Sequence, residues 1–170
     1  MAAAVVLVAA VAVYYFFVRD ETVVPQVQPL ALAATIGSGE DAIPVSARGE
    51  VLTWLMLPED LTLPVLPIDE PPKGGRLQGP VLEQAKVLGA VPPALRPYVA
   101  SSSYGESGVD VELTSGIELH FGEASQAEKK WRAAAAVLAN PEIEALDYVN
   151  LQSPGHPSVG GEGHLLPPLP

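Results

Sequence analysis

A chain of 170 residues with 18 prolines and 15 glycines has room for one modest folded domain in which turns and connections take an unusual share. Its formal charge of −11, from nine Lys and Arg against twenty Asp and Glu, excludes a protein that tracks phosphates, because nucleic-acid binding needs a basic surface to displace counterions. The absence of cysteine excludes disulfides, thiol nucleophiles and cysteine-rich zinc sites without identifying a compartment. An acidic surface serves solubility and can also attract a basic partner segment.

Residues 2–18 are apolar throughout and end in the aromatic cluster Tyr14, Tyr15, Phe16 and Phe17, just before Arg19 and Asp20. At 1.5 Å per residue the run covers about 25 Å, slightly under the roughly 30 Å hydrocarbon core, and reads as a single membrane helix with an aromatic belt at its exit. A cleaved signal peptide would want a basic n-region and a small-x-small cleavage site, whereas this run has no basic residue before it and ends in bulky rings followed by Arg19. Positive-inside reasoning from Arg19 alone would keep the C-terminal side in the cytoplasm. Residues 20–29 are polar, valine-rich and broken by proline, as suits a linker.

From residue 30 a folded body is expected. Residues 30–36, 42–47 and 50–53 read as a short β-meander, with turns at 37–41 and at Arg48-Gly49. Proline and glycine dominate residues 58–79, with an extended edge segment at 63–68 inside them. A helix follows, with Pro80 at its first position, Val81, Leu82, Ala85 and Leu88 as its apolar stripe, and Gly89 as its stop. Strict alternation of Val109, Val111 and Leu113 against Ile117, Leu119 and Phe121, with polar residues interleaved, predicts a hairpin turning at Ser115-Gly116 and buried on one face only. Ser125 and Glu128 form a capping-box pattern for a second helix. Its core face carries Ala127, Trp131, Ala134, Ala135 and Leu138, and Asn140-Pro141 ends it. Residues 145–153 form the last expected strand, and residues 160–170 read as a disordered or polyproline-like tail.

Little in the chain points to catalysis. His120, His156 and His164 are too few and too scattered for a metal set, and His120 alternates onto the wet face of the hairpin. Ser101, Ser102 and Ser103 could be drawn against His120 as a hydrolase. No nucleophile elbow, phosphate loop or His-Glu-x-x-His motif supports that reading. No catalytic, cofactor-binding or metal-binding residue is assigned, and no small-molecule substrate is expected.

Hairpin, amphipathic helix and terminal strand, in that order, resemble the C-terminal β domain of the FtsQ/DivIB family of bacterial cell division proteins. The stretches that carry the likeness are Gly116-Ile117-Glu118-Leu119-His120-Phe121-Gly122, Lys129-Lys130-Trp131 and Leu146-Asp147-Tyr148-Val149-Asn150-Leu151-Gln152-Ser153-Pro154. Upstream, the segments at 43–52 and 63–66 are similar to the family's first hairpin and its Leu-Pro-x-Leu segment. Two departures stand out. The POTRA module that the family places between membrane helix and β domain has no counterpart here, and Asn150 stands where an Asp is often found.

The resemblance implies an α+β fold: a transmembrane anchor at 1–19, a linker at 20–29, and a small, mostly antiparallel β domain at 30–159 with two helices on one face. It further implies a noncatalytic, single-pass scaffold of the bacterial cell membrane, with its domain outside the cytoplasm, that supports septum formation by binding FtsB- and FtsL-like partners. The partner would add to the last edge strand, at Tyr148, Asn150, Gln152, Ser153 and Pro154, because an edge exposes unpaired backbone groups. The alternative is that these residues finish the sheet and the tail folds back over the edge. An adaptor of another envelope system and an anchored hydrolase are the rival functions.

Overall fold

A computed structural model describes residues 31–58 and 61–168. The apolar run at 2–18 and the linker lie outside the described residues, and among those described no helix is long and apolar enough to cross a membrane.

Alternation sets the centre of the fold. Strand β4 (Gly108–Leu113) pairs antiparallel with β5 (Glu118–Gly122), with Val111 opposite Leu119 and Glu112 opposite Glu118. The apolar set is fully buried, while Asp110, Glu112, Glu118 and His120 occupy the other face. This is the hairpin that the period of two requires. Helix α2 (Ala127–Leu138) then carries the chain across the sheet to β6 (Ala145–Asn150), which lies parallel to β5 with Leu119 opposite Val149. A parallel neighbour needs such a crossover connection.

Helix α1 (Gly79–Gly89) has its proline at the first turn and buries Ala85, Val87 and Leu88. Gly89 is required by proximity, since a Cβ there would come within 2.3 Å of the Ala47 methyl. On its far side lies a small sheet of β1 (Leu32–Ile36) and β2 (Ile43–Ser46), paired antiparallel. The third strand expected at 50–53 reduces to isolated bridges, Val45 to Val51 and Glu50 to Arg76, and the segment at 63–68 to a parallel bridge between Thr35 and Val65. Prolines at 58, 64 and 67 remove donors and keep this region from forming a longer ladder.

Three features depart from the sequence pattern. Residues Val99–Gly105 form a strand, β3, on the outer side of β4. Its Ala-Ser-Ser-Ser run has no hydrophobic alternation, and its inward Ser102 is satisfied by a hydrogen bond from its hydroxyl to Gln84 Oε1 of α1, 2.9 Å away. Helix α2 is not opened by a capping box. Gln126, with a φ of 58°, takes the N-cap position and makes no side-chain cap bond; its carbonyl instead accepts the Lys129 and Lys130 N–H groups. Most consequentially, residues Ser158–Leu165 are not a disordered tail but an eight-residue strand, β7, paired antiparallel with β6.

The five-stranded sheet therefore runs β3-β4-β5-β6-β7, and β6, expected at the edge, is interior. The folded body extends past residue 159: Leu166 donates its N–H to the Glu144 carbonyl, and Tyr98 donates its hydroxyl to the Pro168 carbonyl.

Trp131 joins the layers. Fully buried, it packs against Phe121 at a centroid distance of 4.8 Å, and its indole N–H donates to the Val87 carbonyl at the end of α1, 2.8 Å away. Trp131→Ala is expected to lower unfolding free energy by about 3–5 kcal/mol. Trp131→Phe, which keeps the ring contact and loses the hydrogen bond, should lose less than half of that; urea denaturation followed by circular dichroism measures both.

Candidate functional site

The chemistry of a sheet edge is the chemistry of its backbone. An outermost strand has one row of N–H and C=O groups unpaired within the sheet, so it can template another strand. In this sheet β7 and β3 are the outermost strands. Between Pro157 and Pro167, β7 reads Ser-Val-Gly-Gly-Glu-Gly-His-Leu, with no proline or lysine within it to discourage pairing.

The glycines of β7 make room for side chains from β6. A Cβ on Gly160 would lie 2.6 Å from the Tyr148 hydroxyl, so that ring leans over the strand. At Gly161, where φ is 78°, a Cβ would collide with the Asp147 carboxylate, and one on Gly163 would stand 2.4 Å from Asp147 Oδ1. Asp147 in turn accepts the Gly163 N–H at 2.9 Å. Pairing shifts register between Leu146 and Tyr148, where three residues of β7 stand against Asp147 alone; Asp147 and Tyr148 are both exposed, while Leu146 and Val149 stay in the core. On the helix side Val159, opposite the buried Val149, is 43% exposed, and near the end of the strand Leu165 is 76% exposed.

The open face of the sheet continues inward from Tyr148. His120 Nδ1 lies 2.8 Å from Asp110 Oδ1, and its Nε2 lies 3.8 Å from Glu118 Oε2. Its ring meets Tyr148 at 5.5 Å.

Of the residues expected to bind a partner, Tyr148 and Asn150 lie on β6, whose two sides pair with β5 and β7. Their backbones are thus unavailable to an added strand, which corrects the expectation of an edge there, while Tyr148 remains 39% exposed on the open face. Gln152, Ser153 and Pro154 belong to the turn between β6 and β7. Asn150 Oδ1 accepts the Gln152 N–H at 3.0 Å, which closes the start of that turn. The edge strand itself was missed because its signal is backbone pairing. Glycines give no hydrophobic period and lower strand propensity.

Among the described residues, Ser101 and Ser102, drawn against His120, have other partners. The Ser101 hydroxyl donates to Glu112 and that of Ser102 to Gln84. His120 is held by Asp110, and His164 lies two strands away on β7. Among the described residues no group of three His, Cys, Asp or Glu could hold a metal ion.

The turn from β5 into α2 positions this sheet against the helices. Lys130 is buried, and its ammonium donates to the Phe121 carbonyl at 2.8 Å and the Glu123 carbonyl at 2.7 Å. Burial pulls its pKa below the usual lysine value, and the nearby charge of Glu123 partly offsets this. Glu83 of α1 accepts from the Lys86 ammonium at 2.7 Å and from the Ala124 N–H at 3.1 Å. The Lys86 bond leads in holding its carboxyl below the ordinary glutamate value, against an opposing effect of burial.

A carboxyl whose pKa falls on folding stabilises the native state above its unfolded pKa and loses that contribution as pH drops through the folded one. Glu83→Gln should therefore reduce stability at neutral pH and flatten the decline below about pH 4.5. Thermal unfolding between pH 3 and 7 tests this; an unchanged acid limb would show that Glu83 carries no such linkage.

Comparison with protein-family models matches residues 34–152 to the model described as cell division protein FtsQ/DivIB, C-terminal. A search of curated proteins returned no match. The matched span takes in both sheets up to the turn after β6 and stops short of β7.

Proposed function

Because the chain belongs to the FtsQ/DivIB family of cell division proteins, we propose that it is a membrane-tethered divisome scaffold that binds FtsB- and FtsL-like partners by strand addition to β7. The observation that carries this reading is the terminal position of β7 in the sheet. Added backbone hydrogen bonds supply affinity, and alternate side chains supply specificity. Edge addition at β7 also keeps Tyr148 in the interface, leaning over Gly160.

The apolar run at 2–18 supports anchoring in the bacterial cell membrane by a single span, with the β domain outside the cytoplasm. Tethering raises the local concentration of partners held on the same membrane, so a weak edge contact suffices. The family is one of noncatalytic division scaffolds, and the ties of Ser101, Ser102 and His120 to other groups favour the same reading over an anchored hydrolase.

Site-specific photo-crosslinking in membranes tests the edge. A benzophenone amino acid at Val159 or Leu165 of β7 should yield adducts with co-expressed FtsB- or FtsL-like proteins, while the same group at Tyr104 of β3 should not. Adducts from Tyr104 alone would move the interface to the opposite edge. Adducts from β7 only to unrelated envelope proteins would make the chain an adaptor of another system.

A further inference from the structure

The charges of the sheet point to the chemistry of the strand that β7 receives. The five strands β3 to β7 contain no lysine or arginine, yet carry Asp110, Glu112, Glu118, Asp147 and Glu162. The first three share the open face. Asp147 reaches across Gly161 and Gly163 toward the free edge, and Glu162 sits exposed on the edge strand itself. A strand laid beside β7 would lie about one interstrand spacing, ~5 Å, from Glu162's strand and within reach of Asp147, inside the ~8–10 Å over which salt leaves charges interacting, whereas the carboxylates of β4 and β5 are three to four spacings away and are screened.

On the open face, Gly160 presents no side chain of its own, so the Tyr148 ring and hydroxyl above it are the first groups that an incoming side chain meets. A planar cation suits this place, because it can stack on an aromatic face while its N–H groups reach a carboxylate. On the helix side, an incoming strand would meet Val159, which is exposed and apolar and stands opposite the buried Val149. The period of two in a strand separates these requirements by face.

We infer that the segment received by β7 alternates basic and apolar residues, with an arginine opposite Gly160 stacked on Tyr148 and paired with the Asp147 carboxylate. This rests on the edge-addition reading and adds to it the chemistry of the occupant.

Two peptides test it against the full chain in detergent micelles: one alternating valine with arginine over nine residues, the other with glutamate in place of every arginine. Hydrogen exchange by mass spectrometry locates binding, and fluorescence anisotropy of the labelled peptides measures affinity. The arginine peptide should slow exchange across residues 158–165, and the glutamate peptide should not. Tyr148→Leu should weaken the arginine peptide about fivefold. Asp147→Asn, which keeps an acceptor for the Gly163 N–H, should weaken it by a similar factor and reduce its salt dependence.

If both peptides protect β7 equally, the basic preference is overturned while edge addition stands. If neither protects β7, both readings fall together. Protection by the arginine peptide only outside residues 158–165, or affinity unmoved by both substitutions, would also overturn the inference.

Discussion

Trp131 is the contact on which the arrangement of layers depends. It is the largest fully buried side chain, it lies on the helix that connects β5 to β6, and its two ends engage different elements: the ring meets Phe121 of the sheet, and the indole N–H meets the last turn of α1. One side chain thus sets the height of α2 above the sheet and its position beside α1. With α2 so placed, the chain leaving it enters parallel to β5. Nearby, Lys130 clamps the turn that starts the helix through the carbonyls of Phe121 and Glu123. A buried ammonium is tolerated there because two carbonyl oxygens replace part of its hydration.

The proposed function follows from what that parallel entry leaves over. Once β6 is docked against β5, its other side needs a partner, and the following chain returns to provide one as β7. This moves the outermost row of backbone groups outward by one strand. Tyr148 and Asp147 are not buried by the move, because Gly160, Gly161 and Gly163 leave space above β7 for both. The result is an edge with a bare backbone and borrowed side chains, and the surface proposed for recognition belongs to two strands at once.

Legibility from the sequence differed by element for physical reasons. The β4–β5 hairpin and both helices were readable because each buries one face, and burial imposes a period of two or of about 3.6 on the apolar residues. The helix start was misplaced: Ser125 and Glu128 fit a cap by spacing, but the left-handed Gln126 takes the N-cap position instead. Strand β3 was invisible because its inward Ser102 is satisfied by a hydrogen bond to Gln84 rather than by apolar packing. Among the expected binding residues, Tyr148 keeps its exposed place on the open face, whereas the edge assigned to Tyr148 and Asn150 lies one strand further out.

By itself the sequence determined the α+β class, the buried face of the central hairpin, the two helices that cover it, and the likeness to FtsQ/DivIB that the family match bears out. Each of these depends on side-chain type at a local spacing. The tertiary structure alone decided that residues 158–165 join the sheet and that β6 is interior. A glycine-rich segment has no pattern of its own with which to announce a strand. It becomes one only when a neighbouring strand, already fixed by a packed core, offers unpaired backbone groups that it can satisfy.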